Sequence, residues 1–230
     1  LYLHRHYDVD VLGVALAPDQ IAFANERAAE AGVADRVKFE LMDYRDVTGP
    51  FDRITNVGLI EHLGTPHYPG FFAKCHDLLA PDGVMLSHCC GRVTPPGTTD
   101  KWTRKYIFPG GYIPALSEIV QEAERNQLIV SDVETLRYHY AHTLKEWYFR
   151  TVAAEKEIVE LYDRRFFRMW QFYLAGAEAA FTYGGMVNFQ VQYLRRRDAI
   201  PITRDFMFAE EERLRGLEQA PEWHIRAAAE

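Results

Sequence analysis

"VDVLGVALAPDQIAFANERAAEAGVADRVKFELMD", residues 9–43, predicts a strand, a helix and a second strand in immediate succession. Pro18 suits the first turn of the helix and Gly32 suits its end, following the usual asymmetry of helix termini. We expect the two strands and the helix at 9–16, 36–43 and 18–32. This order of elements is typical of an α/β fold with a parallel sheet.

The same alternation continues along most of the chain. Apolar runs predict further strands at 51–58, 84–90, 128–137 and 187–194. Helices are expected at 67–80, 114–126 and about 206–218. The Pro-Asp-Gly sequence at 81–83 predicts a turn between a helix and a strand. Because no repeat or low-complexity linker divides the chain, we expect one domain over 1–230, a doubly wound parallel sheet with helices on both faces.

The composition narrows the class of protein. The 230 residues are 48% hydrophobic and 26% charged, which is ordinary for a soluble globular domain. The formal net charge of −7 argues against a nucleic-acid-binding protein, which usually carries a basic face. No apolar run is long enough to span a bilayer. We therefore expect a cytoplasmic protein without a nucleic-acid partner.

The cysteines and histidines indicate the cellular compartment and the absence of a metal site. The three cysteines, Cys75, Cys89 and Cys90, do not form a disulfide framework, which indicates a reducing compartment. The nine histidines show no zinc-ligand spacing with them, so we expect no metal site.

Two segments depart from the strand–helix alternation. Residues 91–113 contain proline and glycine breaks around the basic aromatic run "KWTRKYIF", and a loop of this length inside a domain is often a lid. Residues 141–183 have an almost wholly helical pattern rich in aromatic side chains. Such aromatics indicate either plain hydrophobic core or an apolar pocket for an acyl chain.

Polar side chains follow several predicted strands at the point where each strand ends. Glu61 lies in "VGLIEHLG" (57–64), His88 ends the strand at 84–90, and Tyr140 follows the strand at 128–137. The carboxyl ends of strands are where open α/β sheets bind ligands, so these three groups are expected in one crevice. Together they can hold a small anion or relay a proton. Glu61 taken alone is better explained as a helix N-cap or a solvated loop carboxylate.

The chain resembles a known family over almost its whole length. The resemblance is carried by "DYRDV" (43–47), "FDRITNVGLIEHLG" (51–64), "HYPGFFAKCHDLLAPDGVMLSH" (67–88), "KYIFPGGYIPALSEI" (105–119) and "FYLAGAEAAFTYGG" (172–185). These stretches are similar to the cyclopropane-fatty-acyl-phospholipid synthases and the mycolic acid cyclopropane synthases. Both are class I S-adenosylmethionine-dependent methyltransferases, which implies a Rossmann-like fold. The resemblance also implies transfer of a methylene group to the cis double bond of unsaturated phospholipid acyl chains.

The resemblance assigns an anion site to the three polar residues. Glu61, His88 and Tyr140 match the positions that hold bicarbonate, which acts as the base in this family. Gly58 and Cys90 match positions whose backbone lies at that anion. Cys90 replaces an aliphatic residue, so its side chain has no inherited role.

The resemblance also implies a cofactor site. The segment "GVALAPDQ" (13–20) matches the wall around the ribose and methionine of S-adenosylmethionine, with contacts from Gly13, Val14 and Gln20. Asp43 and Tyr44 match the adenine-side loop, although a capping turn explains them equally well.

One departure from the family concerns the start of the chain. No G-x-G turn precedes residue 9, and "LYLHRHYDVDV" resembles the end of the family's first helix running into its second strand. We therefore expect the central first strand and its glycine-rich loop to lie outside this chain. Alternatives are a methyltransferase acting on a small hydroxyl or amine substrate, and a fragment that binds lipid without catalysis. The expected partner is unsaturated phospholipid at the membrane surface, and a homodimer is left open alongside a monomer.

Overall fold

A computed structural model describes residues 1–218 of the chain, and residues 219–230 of the expected domain lie outside that part. The helices are α1 (Tyr2–Tyr7), α2 (Pro18–Glu30), α3 (Ile60–Leu63), α4 (Tyr68–Leu78), α5 (Lys101–Tyr106), α6 (Leu116–Arg125), α7 (His139–Ala153), α8 (Glu155–Leu161), α9 (Arg164–Tyr183) and α10 (Asp205–Glu218). The strands are β1 (Val11–Ala15), β2 (Val37–Leu41), β3 (Phe51–Val57), β4 (Leu79–Arg92), β5 (Ile129–Leu136) and β6 (Met186–Leu194). The expected α/β alternation is therefore present.

The strands form a two-stranded and a four-stranded sheet. β1 pairs with β2 in parallel, and the larger sheet has the order β3-β4-β6-β5. β3 and β4 are parallel, whereas β6 runs antiparallel to both of its neighbours. The sequence predicted a parallel sheet, and this prediction is wrong for β6. Met186 pairs with Arg92, so β6 starts at the edge where β4 ends and must run back along it.

The prediction that the Pro-Asp-Gly sequence at 81–83 forms a turn between a helix and a strand is wrong. These residues lie inside β4. Phe51 pairs with Leu79 and Arg53 pairs with Val84, so the register shifts within a continuous β4. The extra residues of β4 form an irregularity of the kind that a β-bulge produces. The turn residues are therefore accommodated inside the strand.

The two faces of β4 and β6 pack against different helices. One face packs with α4 and α6 in the main core, which includes Phe72, Met85, Ile119 and Tyr193. On the other face, Cys90 and Met186 pack against a second cluster formed by α7 and α9. Side chains alternate between faces along a strand, so adjacent residues such as Cys89 and Cys90 belong to different environments.

The two segments that depart from the strand–helix alternation both contain helices. Residues 141–183 form most of α7 together with α8 and α9, so the helical prediction holds with breaks near 154 and 162–163. Residues 91–113 contain α5, a helix that was not predicted, and the Asp100 carboxylate caps it by accepting from the amides of Trp102 and Thr103. No helix among residues 1–218 is long and apolar enough to cross a membrane.

Within residues 1–218, β1 has no strand partner except β2, and β3 has none except β4. The two sheets are linked instead by side-chain packing. Tyr44, which follows β2, packs edge-on against Phe71 of α4, with 5.5 Å between the ring centroids.

Candidate functional site

Glu61 lies in the first turn of α3, just beyond the end of β3, and it is buried with 8% of its surface exposed. Gly58 has a φ of 66°, which allows the sharp turn after β3, and its amide donates to the carbonyl of His88 at 2.9 Å. The N-cap of α3 is Leu59. Glu61 is therefore neither a helix cap nor a solvated loop carboxylate.

The two carboxylate oxygens of Glu61 have different surroundings. Oε1 accepts a hydrogen bond from the backbone amide of Cys90 at 2.7 Å. Oε2 is buried and has no protein partner among the described residues. Because a buried polar atom without a partner is costly, this oxygen is the place where a ligand would make a contact.

The backbone around Glu61 is held from two sides. Its carbonyl accepts a hydrogen bond from the amide of Tyr112 at 2.9 Å, and the carbonyl of Ile60 accepts one from the Tyr68 hydroxyl at 3.3 Å. Tyr112 lies at the end of the 91–113 segment, and its hydroxyl in turn donates to Glu118 at 2.8 Å. The carboxylate is thus positioned by both the strand end and the returning loop.

His88 lies on the same face of the sheet as the Cys90 side chain. Asn188, on the neighbouring strand β6, is 3% exposed, and its Nδ2 lies 3.4 Å from His88 Nε2 and 3.5 Å from Cys90 Sγ. Sequence reasoning missed Asn188. The only local signal was a polar residue in the apolar run of a strand, and its proximity to His88 depends on the antiparallel pairing of Cys90 with Asn188.

Tyr140 lies in the first turn of α7, where its ring packs edge-on against Phe181 at 5.0 Å and Trp147 at 5.9 Å. Burial raises the pKa of its hydroxyl, and the nearby Cys90 thiol and Glu61 carboxylate add to the effect. The hydroxyl is therefore neutral at physiological pH and is available as a donor. Tyr140 packs against the same cluster as Cys90, whose amide binds the Glu61 carboxylate.

Tyr173 of α9 is one of the aromatic residues of 141–183 for which either core or an acyl pocket was predicted, and it packs in the same cluster as Tyr140. Burial raises its pKa to about 12, and the neighbouring Tyr140 and Cys90 contribute. Its ring contacts Phe108 of the 91–113 segment, with 5.9 Å between centroids, and Phe108 also lies 6.0 Å from the ring of His62. Aromatic side chains from three segments therefore surround the polar groups.

Burial also determines the state of the Cys90 thiol. Its pKa is raised to about 12 by burial and then by the Glu61 carboxylate. A thiol with such a pKa stays protonated at neutral pH, so Cys90 is not a nucleophile in this structure.

The candidate cofactor residues lie around the first sheet. Val14 is in β1 and Gln20 is exposed in the first turn of α2. Gly13 pairs with Phe39, and a Cβ added at Gly13 would lie 2.5 Å from the Phe39 ring. This close approach explains the glycine by packing alone.

Asp43 has the geometry of the capping turn that was the alternative explanation. Its Oδ1 accepts from the amide of Arg45 at 2.9 Å, and Arg45 also forms an ion pair with it at 2.7 Å. The hydrogen bonds from Arg45 lower the pKa of Asp43 to about 2. The neighbouring Tyr44 is half-buried against α4, so its ring forms a fixed wall beside the turn. In the part of the chain covered by 1–218, no group of acidic, histidine and cysteine side chains is arranged to hold a metal ion.

Residues 1–191 match the family model described as mycolic acid cyclopropane synthetase. The chain is 36% identical over 194 residues to the cyclopropane-fatty-acyl-phospholipid synthase of Escherichia coli K12, covering 84% of this chain and 50% of that protein. It is 35% identical over 193 residues to the tuberculostearic acid methyltransferase UfaA1 of Mycobacterium tuberculosis, covering 80% of this chain and 45% of that protein. The chain thus spans about half the length of these curated relatives.

Solved structures agree with this assignment. The cyclopropane synthase MmaA2 of Mycobacterium tuberculosis superimposes with a TM-score of 0.78 at 26% identity, covering 83% of this chain and 72% of that one. The structure of the mycolic acid cyclopropane synthase CmaA1 complexed with SAH and CTAB superimposes with a TM-score of 0.77 at 28% identity. The match covers 83% of this chain and 72% of that one. The chain therefore belongs to the mycolic acid cyclopropane synthetase family, with the fold of the class I S-adenosylmethionine-dependent methyltransferases.

Proposed function

We propose that the protein transfers a methylene group from S-adenosylmethionine to the cis double bond of unsaturated phospholipid acyl chains, forming cyclopropane fatty acids. The observation that carries the proposal is the buried Glu61 carboxylate, with one oxygen bound by the Cys90 amide and the other without a protein partner. Ring closure on an acyl chain needs a base that removes a proton from the transferred methyl group, and an anion held at the second oxygen would supply one.

The polar residues fit bicarbonate. Glu61 Oε2 can accept from the hydroxyl of this anion, while the Asn188 amide and the Tyr140 hydroxyl can donate to its oxygens. His88 lies within 3.4 Å of Asn188 and completes the polar side. When bound, bicarbonate would supply the base that removes a proton from the transferred methyl group. Glu61, His88, Tyr140 and Asn188 would hold this base at a fixed place.

The aromatic residues serve the other half of the reaction. An isolated alkene is a poor nucleophile, so the acyl chain must be held close to the methyl donor. The rings of Tyr140, Tyr173, Phe108 and Phe181 form apolar walls that exclude water. Their faces also stabilise positive charge that develops on the acyl chain. We assign the acyl pocket to the helices over 141–183 and the lid to residues 91–113.

We assign the cofactor to the C-terminal ends of β1 and β2 on the family resemblance. Val14 and Gln20 would contact its ribose and methionine, and Gly58 would approach the reacting end with its backbone. Tyr44 would stack on the adenine, and Asp43 retains Oδ2 for an additional donor beyond Arg45. S-adenosylmethionine, when bound, supplies the methyl group.

The test is transfer of a labelled methyl group from S-adenosylmethionine into phospholipid. Unsaturated phosphatidylethanolamine should be labelled, and the dipalmitoyl lipid, which has no double bond, should not. Product analysis by mass spectrometry should find a cyclopropane ring in the acyl chain. Labelling of a headgroup amine, or equal labelling of the saturated lipid, would refute the proposal.

A further inference from the structure

A basic and aromatic surface lies where α5 packs against α9, next to the site described above. Its centre is a cleft of about 420 Å³ lined by Trp102, Tyr106, Arg165, Arg168, Met169 and Phe172. We call this the α5–α9 surface. It includes the exposed cations Lys101, Arg104 and Lys105 on the short helix.

The surface is cationic in a protein whose formal net charge is −7. Segments 101–108 and 164–172 carry three cations each, six in all, and neither contains an acidic residue. The two acids that precede these segments, Asp100 and Asp163, accept hydrogen bonds from the first amides of α5 and α9. Arg164 pairs with Glu155 at 3.0 Å. Within residues 1–218 the other five cations make no ion pair, so their charge is available to a partner.

The same surface exposes large apolar side chains. Phe172 is 63% exposed and Tyr106 is 42% exposed. Trp102 packs edge-on against Phe172 with 4.8 Å between centroids, which joins the two helices into one surface. Aromatic rings beside unpaired arginines and lysines are the combination found at lipid headgroups, where the rings enter the boundary with the acyl chains.

The position of the surface relates it to the candidate active site. Phe172, on the exposed surface, is followed in α9 by Tyr173, which packs in the same cluster as Cys90 and Tyr140 of the candidate site. The 91–113 segment makes both contacts, through Trp102 to Phe172 and through Phe108 to Tyr173. A lipid held at the surface would therefore have its acyl chain next to the aromatic walls.

We propose that the α5–α9 surface docks the protein on anionic phospholipid bilayers. Arg165 and Arg168 face the lipid phosphates, and Trp102, Tyr106 and Phe172 enter the headgroup boundary. This inference rests on the proposed function, because it names the face from which lipid reaches the site. Basic residues near an anionic leaflet each add to binding, and the attraction decreases with salt.

The other basic run of the chain, 195–197, is a weaker candidate for this role. The guanidinium of Arg195 donates to the carbonyl of Leu79 at 2.5 Å, and Arg196 pairs with Asp198 at 2.5 Å. Only Arg197 remains for a partner in that run, and it serves as a control.

Sedimentation of the purified protein with vesicles tests the proposal. The protein should bind phosphatidylcholine vesicles that contain phosphatidylglycerol, bind pure phosphatidylcholine poorly, and dissociate at high salt. Arg165→Glu with Arg168→Glu should weaken binding to the anionic vesicles by roughly 10- to 100-fold. The control, Lys38→Glu with Arg197→Glu, makes the same change in net charge at exposed positions elsewhere and should bind like the unchanged protein. If the glutamate double variant does not fold, the double variant Arg165→Gln with Arg168→Gln should show a smaller loss of binding to anionic vesicles.

Labelling of unsaturated phospholipid dispersed in detergent separates this inference from the proposed function. The arginine variants should still label phospholipid in detergent, because a dispersed lipid does not require docking on a bilayer. Normal binding of the variants to anionic vesicles would overturn the docking surface and leave the function standing. Absence of wild-type binding to any vesicle would also overturn it. Loss of vesicle binding in a protein that never labels lipid would uphold the surface and refute the function.

Discussion

At the scale of single residues, the site depends on a carboxylate with one satisfied and one unsatisfied oxygen. Glu61 is held through its side chain by the Cys90 amide and through its backbone by the Tyr112 amide. A carboxylate constrained in this way is preorganised, so it needs little rearrangement when a ligand binds.

Substitution of Glu61 by glutamine should lower turnover by roughly 10²–10³. Glutamine keeps an oxygen for the Cys90 amide but replaces the acceptor that faces the proposed anion. Affinity for S-adenosylmethionine, measured by isothermal titration, should be nearly unchanged. Glu40→Gln, at an exposed position of β2, is the matched control. A loss of cofactor affinity in proportion to turnover would make Glu61 a cofactor ligand instead.

Substitution of Tyr140 by phenylalanine should reduce turnover by about 10- to 100-fold, since a hydrogen bond to a charged partner is worth about 1.5–3 kcal/mol. The loss should shrink as bicarbonate is added, because only one donor to the anion is missing. Tyr148→Phe is the control, since Tyr148 lies on the same helix and its ring packs against Phe149 at 5.9 Å. An unchanged bicarbonate dependence in Tyr140→Phe would place its hydroxyl outside the site.

At the scale of elements, glycines have different roles in strands and helices. Gly13 of β1 is in contact with the Phe39 ring, which leaves no room for a methyl group. Gly176 lies within α9, and an added Cβ there would meet nothing within 4 Å. The two positions therefore predict opposite responses to the same change.

Gly13→Ala should lower the free energy of unfolding by about 1–3 kcal/mol through overpacking. Gly176→Ala should raise it by up to about 1 kcal/mol, because alanine has the better helix propensity. Urea unfolding without cofactor measures both. If Gly13→Ala left stability unchanged and reduced only the affinity for S-adenosylmethionine, its role would be cofactor contact and not strand packing.

At the scale of the whole molecule, the core is unevenly distributed. The main cluster of fifteen buried residues begins at Ile60 and joins α4 and α6 to the larger sheet. In the unit formed by β1, α2 and β2, the buried residues are Ala28 and Val37. Stability is not uniform where buried apolar contacts differ this much.

We therefore predict that the β1–α2–β2 unit opens at a lower free energy than the four-stranded sheet. In native-state hydrogen exchange, backbone amides over 11–41 should exchange before those over 84–90 and 187–193. The unfolded chain provides the reference for intrinsic rates. Equal protection of the three segments would mean that the two sheets unfold as one unit.

Much of this protein follows from its sequence because the signals are local. Apolar periodicity, Pro18 and Gly32 predict the strands and the first long helix to within a few residues. Glu61 and Tyr140 follow the ends of β3 and β5, as the strand-end rule predicts, whereas His88 lies within β4, which continues to Arg92. The aromatic density of 141–183 likewise predicts helices with buried faces.

Tertiary structure alone decided the rest. The direction of β6 and its place between β4 and β5 depend on where α9 delivers the chain, and an apolar strand pattern is the same in either direction. The contact between Asn188 and His88 joins residues 100 positions apart, so no local pattern encodes it. The α5–α9 surface likewise combines segments separated along the chain. No single basic residue of this surface is distinctive in the sequence. Only the packing of α5 against α9 brings these residues together beside the exposed aromatic rings.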